Sequence, residues 1–414
     1  MAPNVLLTDT NRWPSPARLA IRLAKAGCNV FAVCPRRGHP LMKTSVVKRA
    51  FPYSGVRPLD SLAAAIEATN PQIIVPCDDR GVEHLHELHA KARRQGAAGS
   101  KISALIEASL GPSDSFPIVS ARHDLLRLAA EEGLRIPETE PITCIEDLDS
   151  WEAKHGFPVV LKADGTFGGR GVRIARTREQ ARQSFMEISR PFGAMRVLKR
   201  LIVNRDPFWL RPWWNKQQPA VIAQSYIQGR PANCAVVCWK GEVLAGIAVE
   251  VVTSEGDTGP ASVVRVVDSP EMMRAAERIA RRLKLTGFFG LDFMIEEGSG
   301  DTYLIEMNPR STLLCHLPLG SGRDMIEPLF AKLSGQPLRE TSAITHNDMI
   351  AYFPQAWIAK SEFLKSSFLD IPQGEPDLIE DLLRPWPNRS FLFRLASQAR
   401  IFTTEILMKD SSEQ

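Results

Sequence analysis

The first hundred residues alternate short β-rich runs with amphipathic stretches, and no other feature of the chain restricts its fold as much. Val5 to Thr8, Val30 to Cys34 and Ile73 to Pro76 read as strands, with helical runs from Ala17 to Ala26 and from Leu62 to Ala68 between them. This is the βαβ pattern of a parallel sheet covered by helices. The first turn, Asp9-Thr10-Asn11-Arg12, lacks the G-x-G-x-x-G spacing, so a dinucleotide fingerprint is absent. The third run ends at Pro76-Cys77-Asp78-Asp79-Arg80. Polar residues beyond the carboxyl end of a parallel strand are where such sheets place ligands, and a helix cap made by Asp78 or Asp79 explains the same residues. The next helix carries His84, His86 and His89 beside an apolar stripe of Leu85, Leu88 and Ala92, which predicts a solvated histidine face rather than a metal site.

A chain of 414 residues, 44% hydrophobic and 24% charged, buries a large core in two or three lobes, which excludes a disordered or fibrous protein. Fifty-one basic against 47 acidic residues leave +4, too little for nucleic-acid binding over the whole surface. No charged n-region precedes a long apolar segment at the N-terminus, and no apolar run approaches the roughly 20 residues that cross a bilayer. A cytoplasmic protein is expected. Seven scattered cysteines, odd in number and without C-x-x-C spacing, predict buried reduced thiols. A linker at Gly111-Pro112-Ser113 divides an N-terminal domain, 1–112, from a central domain, 113–337, whose first helix runs from about His123 to Glu132 and closes at Gly133. Residues 338–414, rich in proline between short amphipathic pieces, read as an irregular helical appendage.

Two hairpins carry the chemistry. Val159-Val160-Leu161-Lys162 and Val172-Arg173-Ile174-Ala175 flank the glycine-rich loop Gly165-Thr166-Phe167-Gly168-Gly169-Arg170-Gly171. Such a tip brings backbone N–H groups close to an anion, although no Gly-Lys-Ser/Thr ends it as in a P-loop. Lys162 lies inside an apolar strand, where a lysine is costly unless it meets a negative partner. The second hairpin runs from Gly290-Leu291-Asp292-Phe293-Met294-Ile295 through Gly298-Ser299-Gly300 to Tyr303-Leu304-Ile305-Glu306-Met307-Asn308-Pro309-Arg310. With the turn centred on Ser299, Asp292 lies opposite Glu306 and Met294 opposite Leu304. Alternation then puts Asn308 on the face of Glu306, while Leu291, Phe293, Ile295, Ile305 and Met307 point into the core. Two carboxylates directly opposite repel, a penalty that a divalent cation removes, and these oxygen ligands suit Mg²⁺ shared with substrate phosphates.

These hairpins, in this order, resemble the ATP-grasp superfamily, especially its biotin carboxylase and carbamoyl-phosphate synthetase branches. The resemblance covers residues 1 to about 337 and is most specific in Gly156-Phe157-Pro158-Val159-Val160-Leu161-Lys162, in Gly168-Gly169-Arg170-Gly171 and in Ile305-Glu306-Met307-Asn308-Pro309-Arg310. It implies an α/β fold: a parallel, Rossmann-like βαβ lobe, then a two-lobed ATP-grasp domain of the α+β kind. It implies ATP contacts from Lys162, from Arg122 and from the loop Gly165, Thr166, Phe167, Gly168, Gly169, Arg170 and Gly171. The adenine-reading hinge would be Gln224, Ser225, Tyr226 and Ile227. Asp292, Glu306 and Asn308 would hold Mg²⁺, with Mn²⁺ as an alternative ion, and Arg310 and Lys162 would be the catalytic pair facing the transferred phosphoryl group. Two departures stand out: Gln224 replaces the usual glutamate, and Gly229-Arg230-Pro231-Ala232-Asn233 offers no acidic residue for the ribose.

The implied activity is phosphorylation of a carboxylate by ATP to an acyl phosphate that an amine attacks. The partners are then a small carboxylate and an amine. A carboxylase or carbamoyl-phosphate-type enzyme is the first alternative, disfavoured because Ser311-Thr312-Leu313-Leu314-Cys315-His316 follows the NPR motif where carboxylases carry polar and acidic groups. A nucleotide-sensing binding protein is the second.

Residues 190–216 lengthen the segment between Lys162 and Gln224, an insertion reaching to about 219. They hold Arg190, Arg196, Lys199, Arg200, Arg205, Arg211 and Lys216 against Asp206 alone, interleaved with Phe192, Phe208, Trp209, Trp213 and Trp214. Basic residues mixed with tryptophan suit an anionic membrane surface, a large anionic partner, or a lid over an acidic substrate, and tryptophans packed onto the protein beneath solvated arginines explain the same residues. Co-sedimentation with anionic liposomes is expected to fall as salt rises and to drop in a Trp213→Ala, Trp214→Ala variant. Equal recovery in the supernatant with and without anionic lipid would rule the membrane form out.

Overall fold

Strand β1 (Asn4–Thr8) has Val5, Leu6 and Leu7 fully buried, a continuous apolar run that only a strand covered on both faces can carry. It pairs in parallel with β2 (Asn29–Cys34) on one side and β4 (Ile73–Pro76) on the other. A fourth strand, β3 (Val47–Pro52), completes the order β3-β2-β1-β4 and was not anticipated from the sequence. It is an edge strand with Lys48 and Arg49 exposed, so it lacks the apolar signature of its neighbours while its charges discourage edge pairing. Helix α1 (Ser15–Ala26) covers one face; α2 (Pro58–Thr69), α3 (Asp79–Arg94) and α4 (Ser100–Leu110) cover the other. The computed structural model describes residues 2–35, 38–164, 171–190, 219–254, 256 and 259–384. The loop residues Gly165 to Arg170 and almost all of the basic, tryptophan-rich insertion lie outside that range.

The short helix α5 (Phe116–Ser120) and α6 (Arg122–Glu131) lead into a four-stranded sheet ordered β5-β8-β6-β7, made of β5 (Thr139–Ile142), β6 (Val159–Ala163), β7 (Val172–Ala175) and β8 (Val221–Ser225). Gly133 takes φ 73° just after α6, the left-handed turn its position predicts. Helices α7 (Ile145–His155) and α8 (Arg178–Ile188) pack on this small sheet through Trp151 and Phe185. A larger sheet contains β9 (Gly229–Trp239), β10 (Glu242–Ser254), β11 (Ala261–Val267), β12 (Gly287–Glu296) and β13 (Thr302–Asn308). Along β9 the pleat sorts the residues. Ala235 and Val237 face the N-terminal lobe and α10 (Ile326–Ser334), while Cys234, Val236 and Cys238 face α6 and α9 (Pro270–Leu283). One apolar core therefore runs from β1 and α1 into the large sheet.

The segment after 337 differs from the expected helical appendage. β14 (Met349–Tyr352) pairs with β11, and β15 (Phe368–Asp370) pairs with β14, giving the order β13-β12-β9-β10-β11-β14-β15. After the four-residue helix α11 (Gln355–Ile358), helix α12 (Pro376–Leu383) buries Leu378, Ile379 and Leu382 against Ala17 and Ile21 of α1. Strands of three and four residues give no periodicity to read, and their partners lie far away in sequence. Asp370 binds buried Arg18 and accepts from His316 Nε2 at 2.7 Å, so the segment is anchored by charge as well.

The histidine face of α3 is also corrected. His84 and His89 are buried, paired with the Tyr53 hydroxyl at 3.0 Å and with Glu107 at 2.9 Å, while His86 stacks on Phe116. Their partners come from β3's end, α4 and α5, which local periodicity could not show. The seven cysteines are free thiols, all buried except the half-buried Cys144. Among the described residues no helix is long and apolar enough to cross a membrane.

Removing one member of a buried ion pair leaves its partner uncompensated. Asp370→Ala is expected to cost about 3–5 kcal/mol in urea unfolding, far more than truncating an exposed helical tail would. A loss below about 1 kcal/mol would contradict the integral role given to β14 and β15.

Candidate functional site

β12 and β13 form the expected hairpin, with Asp292 directly opposite Glu306. The register then shifts: Phe293, not Met294, faces Leu304, and Met294 faces Tyr303. A β-bulge at Ile305 causes this, so Leu304 and Met307 are the buried apolar residues of β13 and Ile305 is not in the core. The bulge has two visible counterparts. The Leu304 N–H donates outside the hairpin to the Arg135 carbonyl at 2.9 Å, and the Ile305 carbonyl lies 3.4 Å from Lys162 Nζ.

Lys162 comes from β6 of the small sheet and is only 5% exposed. Burial lowers its pKa to about 8, a fall that the nearby Glu306 carboxylate partly offsets, so it remains a cation near neutrality. Arg122, the first residue of α6, donates through Nη2 to Glu306 Oε1 at 2.7 Å and through Nη1 to Asp164 Oδ1 at 2.8 Å. Two cations from two different elements thus converge on one turn of β13. Burial works against ionised Glu306, but the Arg122 and Lys162 charges outweigh it and hold its pKa below the ordinary value. Asp292 moves the other way: burial first, then the charge of Glu306, raise it to about 6.

Asp292 is held by two amides. Asn233 Nδ2 donates to Oδ1 at 2.7 Å and Asn308 Nδ2 to Oδ2 at 3.1 Å. Asn233 arrives because β9 pairs with β12 with Asn233 opposite Asp292, a long-range register that the sequence reading did not contain. Asn308 Oδ1 accepts from Arg310 Nη2 at 3.0 Å, and Arg310 Nε donates to Asp79 Oδ1 at 2.9 Å. Asp79 opens α3, so the NPR arginine is gripped by the N-terminal lobe. The Ser311 N–H donates to the Pro76 carbonyl at the end of β4, which fastens the same junction. Asp78 is the helix cap, accepting from Gly81 N at 2.8 Å and from Thr10 and Asn11 of the first turn. The two readings of Pro76 to Arg80 therefore divide between neighbours: Asp78 caps and Asp79 meets the site.

The residues expected to form the hinge begin on β8. Gln224 is 2% exposed, lies between Thr139 of β5 and Val160 of β6, and donates through Nε2 to Thr139 Oγ1 at 3.3 Å. Ser225 N bonds the Glu138 carbonyl, Tyr226 sits beneath the Arg176 guanidinium, and Ile227 follows before β9 begins. Gly171 closes the β6–β7 hairpin by accepting from Ala163 N at 3.0 Å.

Residues 126–313 match the ATP-grasp domain family. The chain carries an ATP-grasp domain. The match contains Lys162, Gln224, Asp292, Glu306, Asn308 and Arg310, and begins four residues after Arg122. The carbamoyl phosphate synthase large chain of Xylella fastidiosa (strain 9a5c) is 26% identical over 263 residues, covering 62% of this chain and 23% of that one. The chain thus spans about a quarter or less of the first curated relatives it matches. N5-carboxyaminoimidazole synthetase from Staphylococcus aureus, complexed with ADP, superposes with TM-score 0.58 at 13% identity, covering 83% of this chain and 80% of that one. The biotin carboxylase domain of the Hydrogenobacter thermophilus 2-oxoglutarate carboxylase, solved with MgADP and bicarbonate, gives 0.56 at 17% identity, covering 83% and 72%. At these identities the shared property is the fold, with the parallel four-stranded sheet ahead of the ATP-grasp lobes.

In this ATP-grasp domain the donor set fits a hard divalent cation, since it consists of carboxylate and amide oxygens. The raised Asp292 pKa reflects burial first and the Glu306 charge second, and a cation beside it would offset both. Asn308 turns its oxygen toward Arg310, so its side chain must rotate before it can join Asp292 and Glu306 around an ion.

Folded Asp292 holds its proton up to about pH 6, against an ordinary 3.8, so its ionisation costs stability above that pH and the cost vanishes below the unfolded value. Asp292→Asn removes this titration. The stability difference between wild type and variant should therefore shift in favour of wild type as pH falls from about 7 to about 4. Denaturant midpoints that keep a constant separation over this range would refute the charge assignment.

Proposed function

We propose that the chain is an ATP-dependent ligase that phosphorylates a carboxylate and passes the acyl group to an amine. The observation that carries this reading is the convergence of Lys162 and Arg122 on Glu306, opposite Asp292, with Arg310 held by Asp79 at the same junction. ATP supplies the phosphoryl group; Asp292, Glu306 and Asn308 would hold Mg²⁺, which would supply charge neutralisation for the phosphate oxygens. The chain's own residues position and balance charge. Gln224 to Ile227 take the adenine, Lys162 and the glycine-rich loop take the phosphates, and Arg310 faces the oxygens where charge grows during transfer.

A carboxylate oxygen attacks the γ-phosphorus and ADP departs. The amine then attacks the acyl carbon, phosphate departs, and the amine nitrogen releases a proton. No protein nucleophile is required, because phosphorylation itself supplies the leaving group. The loop after the NPR motif favours an organic acid over bicarbonate: Leu314, Cys315 and His316 are buried, and His316 is already engaged by Asp370.

Product analysis tests the reaction class. ADP and phosphate should appear together, and only with both acid and amine present; hydroxylamine should replace the amine and trap a hydroxamate. Glu306→Gln should abolish the metal-dependent turnover in protein whose circular dichroism shows it folded, with some loss of stability because Arg122 and Lys162 lose a counter-charge. AMP and pyrophosphate as products would overturn the acyl-phosphate route.

A further inference from the structure

Arg122 ties the small sheet to the large one. Its two contacts reach Asp164, at the end of β6 in the small sheet, and Glu306, on β13 of the large sheet. The guanidinium side chain is 12% exposed, and its Nε is buried without a hydrogen-bond partner among the described residues. Arginine recognises carboxylates and phosphates best with its whole fork, so this position satisfies it only in part. The cluster holds the carboxylates Asp79, Asp164, Asp292 and Glu306 against the cations Arg122, Lys162 and Arg310, a net charge of one negative. A bare divalent cation gains little from such a site, because Glu306 already has its counter-charge.

We propose that Arg122 is a resident counter-ion in the metal position, which nucleotide phosphates draw off Glu306, so that nucleotide and divalent metal bind cooperatively with the nucleotide leading. The proposal rests on reading the site as one for a metal nucleotide. Phosphate oxygens engage the fork more fully than one oxygen from each of two carboxylates. Once the guanidinium turns to them, Glu306 and Asp292 face each other with one cation fewer, and the ion arriving with the nucleotide restores the balance. Linkage makes the effect reciprocal: metal strengthens nucleotide binding by the same factor.

Mn²⁺ binding to the full chain, followed by electron paramagnetic resonance with and without ADP and corrected for Mn²⁺–ADP association in solution, measures this coupling. Wild type should bind Mn²⁺ at least about tenfold more tightly when ADP is present. Arg122→Gln should bind Mn²⁺ more tightly than wild type without ADP and lose most of that ratio. Arg122→Lys, which keeps the charge but lacks the fork, should fall between, and it carries the test if the glutamine variant does not fold. Mn²⁺ bound equally well with and without ADP by wild type would overturn the proposal and leave the nucleotide site standing. A gain of the same size in both states of Arg122→Gln would also overturn it, reducing Arg122 to simple charge repulsion. Wild type that binds no ADP would overturn the metal-nucleotide reading itself.

Discussion

Two carboxylates on neighbouring strands, Asp292 and Glu306, face each other in the second hairpin, and most of the site is an answer to that repulsion. Each receives a different answer. Glu306 takes two cations, Arg122 from the start of α6 and Lys162 from β6, and remains ionised. Asp292 takes two neutral amides, from Asn233 and Asn308, and is left with a raised pKa. The asymmetry matters because amides orient a carboxylate without cancelling its charge, whereas guanidinium and ammonium groups cancel it directly. One oxygen pair is thus kept electrostatically hungry and the other satisfied.

The facing carboxylates were read from the sequence with the turn centred on Ser299, a register that holds at Asp292 and Glu306 only because a bulge shifts the pairing there, and that fails nearer the turn, where Phe293 faces Leu304. The bulge at Ile305 was not legible, since it answers to Arg135 and Lys162, residues more than a hundred positions away. Asn233 was passed over for the same reason: only the pairing of β9 with β12 brings it to Asp292. Its signal was an amide inside an apolar run, between Ala232 and Cys234. Lys162 shows the opposite case, where a charged residue in an apolar run announced a partner before the partner was known. Strand β3 and the short strands β14 and β15 escaped because exposed edges and runs of three or four residues carry no periodic pattern.

The N-terminal lobe is more than a neighbour of the ATP-grasp domain. Asp78 closes the first turn onto α3, Asp79 directs Arg310, and the Pro76 carbonyl holds Ser311, all from the carboxyl end of a single strand. The apolar core that continues from β1 into β9 and β10 makes that alignment stiff, because sliding the lobe would open contacts among close-packed side chains. Precision at Arg310 is therefore set by packing some distance from it.

The large sheet is completed last. Until residues 349–370 have left the ribosome, β11 presents an unpaired edge of Ala261-Ser262-Val263-Val264-Arg265-Val266-Val267, a β-branched run with a single charge. The opposite edge, β13, has no such delay, since it is folded against β12 within one hairpin. A nascent chain that has formed β12 and β13 still has the β11 border open, where strand addition from another chain would compete with β14.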